Sequence, residues 1–153
     1  MDKLWVLCLL ILFSSCASKK SFQHFYNKEK DKADFAMAFP KYMAMIAIPK
    51  ESKEDVRYFT KGMKRIRVLY NKQEDDDLIS SFVDFAEERA FSPYIVAQKD
   101  GSKINLYARE DGDHIREIVL DIEADDETII VALMGKMSKK TFANAMQSAQ
   151  EQN

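Results

Sequence analysis

The stretch from residue 94 to 135 alternates apolar and polar side chains with a period of two, and turn motifs interrupt it at regular intervals. Such alternation is typical of strands that bury one face, and Asp-Gly pairs favour tight hairpins. We expect turns at Asp100-Gly101, at Asp111-Gly112 and in the acidic run from Glu123 to Glu127. These turns predict a four-stranded antiparallel meander with strands at 94–99, 103–109, 114–123 and 128–135.

Helical spacing dominates the flanking segments. Apolar residues at three- and four-residue spacing between Leu78 and Ala90 predict a helix, and Ser138 is expected to cap a last helix. The acidic run 74–77 before the first of these helices indicates helix capping. Upstream, the pattern predicts a strand over 34–39, for which helix is the alternative, then a short helix after Pro40, another after Ser52, and a strand over 66–70. The fold class is therefore α+β, a mostly antiparallel sheet with helices packed on one face.

The N-terminus has the composition of a secretory signal peptide. A charged start leads into an apolar run over 4–13, which is too short to span a bilayer, and the run ends in Ser14-Ser15-Cys16. Leu12 to Cys16 resembles a bacterial lipobox, with cleavage between Ser15 and Cys16 and a lipid on the Cys16 thiol, although Phe13 stands where Leu is more common. The alternative is a buried N-terminal helix with an ordinary thiol. We expect a signal peptide at 1–15, a lipid-anchored tether at 16–32 and a single α+β domain at 33–153.

Few residues of the chain could supply cofactor or metal chemistry. Its two cysteines are Cys8, inside the signal peptide, and Cys16, which the lipid would cap, so neither a disulfide framework nor a cysteine nucleophile is expected. The two histidines, His24 and His114, are too few for a His-rich metal site. The four glycines stand apart, so the chain has no phosphate loop. We expect no cofactor and no metal, and the net charge of -2 argues against a nucleic-acid partner.

An envelope hydrolase is the alternative to a binding protein. Asp113-His114 with a nearby serine would supply the residue types of a triad, and Asp84, Glu87 or Glu117 would supply carboxylates. Their spacing specifies no active site, and a turn-end position for His114 explains that residue more simply.

Two basic clusters flank the sheet segments, one with Lys61, Lys64, Arg65 and Arg67, the other at 136–140 with three lysines. Such clusters usually form a solvated face. Contact with anionic lipid headgroups or an acidic glycan is the alternative.

The meander also offers a candidate contact face. Alternation places Tyr107 and Arg109 opposite Leu106, and the neighbouring strand adds Glu117 and Val119 to the same side. Tyrosine and arginine are enriched at protein interfaces. The last strand is apolar on both sides, which predicts either cover by the C-terminal helix or a partner site.

Several features together resemble one family. The lipobox cysteine, the lysine-rich segment after it, a helix leading into Ile66-Arg67-Val68-Leu69-Tyr70, and a terminal meander holding 104–107 and 129–132 are similar to domain of unknown function family 4252. The resemblance implies an envelope lipoprotein of α+β fold, of a kind found chiefly in Bacteroidota, with no assigned activity and no catalytic residues.

The function expected from these observations is a non-catalytic, lipid-anchored envelope protein that binds or adapts an unidentified partner. That partner is an envelope protein or a glycan, and the membrane is reached through the lipid on Cys16. A structural or stress-related envelope component is a further alternative. Neither Ala17 nor Lys19-Lys20 resembles known signals for inner-membrane retention or surface export, which favours the periplasmic leaflet of the outer membrane.

Overall fold

The computed structural model describes residues 21–73, 76–99 and 101–151, so the predicted signal peptide and Cys16 lie outside the described residues. The helices are α1 Phe22–Glu29, α2 Lys41–Ala47, α3 Lys53–Phe59, α4 Asp76–Glu88 and α5 Lys139–Glu151, with a short 3-10 turn at Lys50–Ser52. The strands are β1 Phe35–Pro40, β2 Met63–Asn71, β3 Phe91–Lys99, β4 Ser102–Asp111, β5 His114–Ala124 and β6 Glu127–Ser138.

The strands form one six-stranded sheet in the order β1-β2-β6-β5-β4-β3, and every neighbouring pair is antiparallel. Strands β3 to β6 are the predicted meander, and β2 returns to pair with β6. The hairpin turns use backbone conformations with positive φ, at Gly101 (83°), Gly112 (57°), Asp125 (45°) and Asp126 (67°). The α+β class, the largely antiparallel sheet and the meander are confirmed.

Helices α1 and α4 cover one face of the sheet through an aromatic cluster. Phe82 of α4 is fully buried, and its ring lies 6.0 Å from that of Phe22 and 5.5 Å from that of Phe25, both on α1. These rings pack on strand residues such as Leu69 and Ile130. We call this the aromatic face.

Helix α1 corrects the predicted tether. Phe22, Phe25 and Tyr26 recur at helical spacing and are all buried, so the segment after Ser21 is part of the core and not a flexible connection. The folded domain therefore begins no later than Ser21, about twelve residues before the expected boundary at 33. Of the predicted tether, only 16–20 precede Ser21.

Helix α5 lies on the opposite face, so the expectation that all helices share one face is wrong. Phe142 of α5 packs with Ala108 and Ile118. Both neighbour aromatic-face residues in their strands and therefore point the other way. Ser138 caps α5 as predicted, because its Oγ accepts the Thr141 N–H at 3.1 Å.

Candidate functional site

The face that carries α5 is apolar far beyond the area that this helix packs against. Two rows of apolar side chains cross the sheet in register. We call these two rows the open face. The first row is Phe35, Tyr70, Ile129, Ile122, Ile104 and Ala97, and the second is Met37, Val68, Val131, Leu120 and Leu106.

Burial separates the open face from the aromatic face. Leu69, Val119 and Ile130 are fully buried on the aromatic face, whereas the open-face residues of β2, β4, β5 and β6 are only half-buried. At the sheet edge Phe35 is 47% exposed and Met37 is 42% exposed. An apolar surface of this extent is the usual mark of a contact site.

The C-terminal helix covers only the part of this face next to the open rows. Its packed cluster includes Ala108, Ile118 and Phe142, and Leu106 of the open face lies at its border. Of the two outcomes expected for the doubly apolar last strand, cover by α5 therefore holds for one end only. Val131 and Ile129 remain half-buried beyond it.

The contact face predicted at Tyr107, Arg109, Glu117 and Val119 is wrong, because these residues lie on the aromatic face. Val119 is fully buried, Glu117 is 2% exposed, and the Tyr107 ring packs edge-on against Phe82 at 5.2 Å. The alternation of the strands was predicted correctly. The error lies in the choice of side, because α1 and α4 cover the side with Tyr107 and Val119 that was expected to be open.

Glu117 is instead a structural carboxylate. It accepts hydrogen bonds from the Ser21 hydroxyl and from the Phe22 backbone N–H, and Arg109 Nε donates to its Oε2 at 2.9 Å. A carboxylate at the N-terminus of a helix is stabilised by free N–H groups and by the helix dipole. Its oxygens are therefore occupied in holding α1 to the sheet.

The carboxylates considered for hydrolysis do not converge. Asp84 and Glu87 are exposed on α4, whereas Glu117 is buried under α1. His114 begins β5 and pairs with Ser138 across the strands, but the hydroxyl of that serine caps α5.

Asp121 is a buried carboxylate on the same side of β5 as Glu117 and Val119, a side expected from alternation to be polar. Asn105 Nδ2 donates to its Oδ1 at 2.9 Å, and its Oδ2 has no hydrogen-bond partner. Burial raises the pKa of Asp121 above the usual range of aspartate. An aspartate in an alternating strand is ordinarily expected on the solvent side. The sheet register instead places Asp121 between Asn105 and Ile130, and no local pattern in the sequence indicates this.

The two basic clusters meet at one end of the sheet. Lys136 N–H donates to the Gly62 carbonyl at 3.0 Å, which joins the start of β2 to the end of β6. Six exposed cations gather there, and we call this region the basic end. They are Lys61, Lys64, Arg65, Lys136, Lys139 and Lys140.

Arg67 does not belong to the basic end. It is 7% exposed, and its guanidinium lies 5.3 Å from the centre of the Tyr26 ring. Burial lowers the pKa of Arg67, and the nearby Tyr26 opposes that shift. Its role is to pack under α1 on the aromatic face.

Helix α2 lies beside the basic end and exposes apolar side chains. Lys41 Nζ donates to the Thr60 carbonyl at 3.0 Å, directly before Lys61. On this helix Tyr42 is 67% exposed, Met43 50% and Ile46 77%.

The opposite end of the sheet carries an acidic turn, and we call it the acidic end. The β5–β6 turn presents Asp125 and Asp126 to solvent, and a polar cavity of about 300 Å³ lies beside them. Within the described ranges no group of three or more metal-ligating side chains is placed to hold an ion. No helix in those same ranges is long and apolar enough to cross a bilayer.

Comparison with known proteins identifies the family of the chain. No curated protein matches the chain. A family model, Domain of unknown function (DUF4252), matches residues 19–145, which includes all six strands and begins just before α1. The chain therefore belongs to the DUF4252 family.

Proposed function

We propose that this protein is a lipid-anchored envelope protein that binds a partner protein through the open face and performs no chemistry of its own. The observation that carries the proposal is the continuity of the two apolar rows across the sheet, from Phe35 and Met37 on β1 to Ala97 on β3. A sheet that served only its own core would alternate apolar and polar sides. This sheet is apolar on both sides, and one side is only partly covered.

The partner expected on this face is an amphipathic helix with basic flanks. Helix α5 already packs on the adjoining row, which shows that this side accepts a helix. The two open rows are about 7 Å apart, and a helix about 10 Å wide would cover both. Glu127 borders the first row at the β5–β6 turn, where it accepts a hydrogen bond from the Tyr70 hydroxyl at 2.8 Å, so lysine or arginine beside the apolar stripe would be electrostatically favoured.

A designed peptide tests the open face. The probe is a helical peptide of about 14 residues with a leucine stripe flanked by lysines, compared with a scrambled peptide of identical composition. Isothermal titration calorimetry should show that the protein binds the striped peptide and not the scrambled one. Phe35→Ser with Met37→Ser, and separately Val131→Thr, should weaken binding at least about tenfold, since each removes apolar contact or inserts a hydroxyl.

The control variant is Asp84→Ser with Glu87→Ser on the exposed side of α4, which should bind the striped peptide like the unmodified protein. A benzophenone amino acid at position 37, and not at position 84, should form a discrete adduct in intact cells. Equal binding of both peptides, or full binding by the Val131 variant, would overturn the open face as the site.

The anchor is tested separately. Cys16→Ala should leave the protein out of the detergent phase, because a diacylglycerol thioether plus an N-acyl chain holds a protein far more firmly than one chain. Intact mass of the unmodified protein should include the lipid. Detergent partitioning of the variant, or a wild-type mass without lipid, would refute lipidation at Cys16. Fractionation should place the lipidated protein in the outer membrane.

A further inference from the structure

We propose that the basic end and helix α2 together dock on the anionic lipid headgroups of the membrane that holds the anchor. The inference rests on the proposed lipid at Cys16 and adds an orientation. The basic end would face the bilayer, the acidic end would face away from it, and the open face would stand to the side.

The length of chain available sets the distance from the membrane. Ser21 is five residues after Cys16, and a segment of that length spans at most about 18 Å. Ser21 is itself fixed, because its hydroxyl donates to the buried carboxylate of Glu117. The domain therefore cannot move far from a lipid on Cys16.

The point of attachment is at the basic end. Glu117 pairs across the sheet with Met134, and Met134 pairs with Arg65. Lys136 follows two residues after Met134, and its backbone bond to Gly62 brings Lys61 and Lys64 alongside. Ser21, the first described residue after the proposed anchor, therefore lies at the same end of the strands as the exposed cations.

The charges at this end are available for headgroups. Among the described residues only Lys139 of the six cations forms an ion pair, with Glu110. The acidic side chains Asp125 and Asp126 are at the other end of β5 and β6. The β4–β5 hairpin also lies at the basic end, but its Glu110 and Asp111 are paired with Lys139 and Arg116. Cations remain in excess there over the exposed Asp113, so an anionic surface would attract this end more than the end with Asp125 and Asp126.

Helix α2 supplies the apolar part of the contact. Tyr42, Met43 and Ile46 project into solvent beside the cations, and the Lys41–Thr60 bond holds the helix in that place. Exposed apolar and tyrosine side chains next to lysines are the composition of segments that lie in the headgroup region. A purely acidic soluble partner would leave these apolar side chains unused.

Depth measurement by spin labelling tests the orientation. The expected mature chain has no thiol besides the lipidated one, so Ile46→Cys introduces a unique labelling site. The lipidated protein is reconstituted in phosphatidylcholine vesicles with or without phosphatidylglycerol, and collisions of the nitroxide with oxygen and with a water-soluble nickel chelate are compared. The label at position 46 should favour oxygen in the anionic vesicles only. A label at Asp126→Cys, at the acidic end, should favour nickel in both.

Charge reversal supplies the second arm. Lys61→Glu, Lys64→Glu and Lys136→Glu together should lower the ratio of docked to undocked protein by at least about a hundredfold, since loss of each cation removes about a fivefold preference and each new carboxylate adds repulsion. The matched control reverses Lys28, Lys30 and Lys72, which are exposed near the other end of the sheet, and should leave the label at position 46 in the lipid.

The outcomes separate this inference from the proposed function. A lipidated protein whose position-46 label stays in water on anionic vesicles overturns the docking surface alone, as does a basic-end variant that behaves like its control. Equal oxygen preference on neutral vesicles would show that the cations are not the determinant and would also overturn it. A chain without lipid mass overturns the anchor and the docking together, while peptide binding to the open face is measured independently of both.

Discussion

The side chain of Glu117, in β5, accepts the backbone N–H of Phe22, the first residue of α1, at 3.2 Å across 95 residues of sequence. Phe22 is fully buried at that point. One carboxylate therefore fixes both the start of the helix and the entry of its first aromatic ring into the core. Arg109, on the neighbouring strand β4, balances the negative charge of Glu117.

Replacing Glu117 tests this connection. Glu117→Ala should lower the free energy of unfolding by about 3–5 kcal/mol, because it leaves the buried side of Arg109 without a counter-charge and the first turn of α1 without an acceptor. Glu117→Gln keeps an acceptor for the Phe22 N–H and should lose less. Urea denaturation followed by circular dichroism measures both. A loss below about 1 kcal/mol for the alanine variant would contradict the role assigned to Glu117.

The aromatic cluster is tested at its centre. Phe82→Ala removes the ring that contacts Phe22, Phe25 and Tyr107, and it should cost about 3–5 kcal/mol in the free energy of unfolding. Asp84→Ala, exposed two positions along the same helix, should change the value by less than about 0.5 kcal/mol. Similar small effects at both positions would show that α4 does not pack as described.

Shortening the chain tests whether α1 is part of the fold. A protein that begins at Asp34 lacks Phe22, Phe25 and Tyr26, and each buried aromatic ring contributes about 3–5 kcal/mol, so the loss approaches the whole stability of a domain. It should show no cooperative thermal transition and should bind a hydrophobic dye. A protein that begins at Ser21 should unfold cooperatively. Cooperative unfolding of both would return α1 to the role of a tether.

Asp121 predicts a dependence of stability on pH. Because burial raises the pKa of Asp121, the folded state holds this proton more tightly than the unfolded state does. The stability that the protonated Asp121 contributes is therefore fully present below the unfolded pKa of about 4. It is lost as the pH rises through the pKa of Asp121 in the folded state. Asp121→Asn should be more stable than wild type by about 1–3 kcal/mol at pH 7 and equal to it near pH 3. Urea titrations across this range measure the difference. Parallel curves for the two proteins would contradict the assignment.

Two glycines with nearly the same backbone conformation isolate the contact that joins the basic end. Gly62 has a φ of 84° and Gly101 has a φ of 83°, but a Cβ on Gly62 would lie 2.1 Å from the Lys136 carbonyl oxygen, and one on Gly101 would meet nothing within 4 Å. Gly101→Ala should cost only backbone strain, about 1–2 kcal/mol. Gly62→Ala should cost about 1–3 kcal/mol more. Thermal unfolding of the pair measures this difference, and equal costs would argue against the close approach.

Local periodicity predicted the elements whose side chains repeat within a short window. The meander, α4 and the cap at Ser138 all follow from spacing of two or of three to four residues. Helix α1 was missed because its eight residues are flanked by lysines, and three aromatic side chains alone did not outweigh that polar composition.

The candidate site depended on contacts between distant residues. Alternation divides a strand into two sides without saying which one helices will cover, so Tyr107 and Val119 were assigned to the wrong surface. The bond between Gly62 and Lys136, which merges the two basic clusters, joins segments that no local pattern relates. Residue type alone does not distinguish a buried aspartate such as Asp121 from a solvated one.

The return of β2 to pair with β6 also leads us to expect a particular order of assembly. Strands β3 to β6 need only tight hairpins between sequence neighbours, so their pairing is fast, whereas β2 and α1 must wait for partners that come late in the chain. During synthesis the N-terminal third emerges first and has no sheet to join. Phe22 and Phe25 can meet Phe82 of α4 before the meander is made, but their neighbours Ile130 and Ala132 come only with the last hairpin. We therefore expect the N-terminal segment to close onto the sheet as the last step of folding.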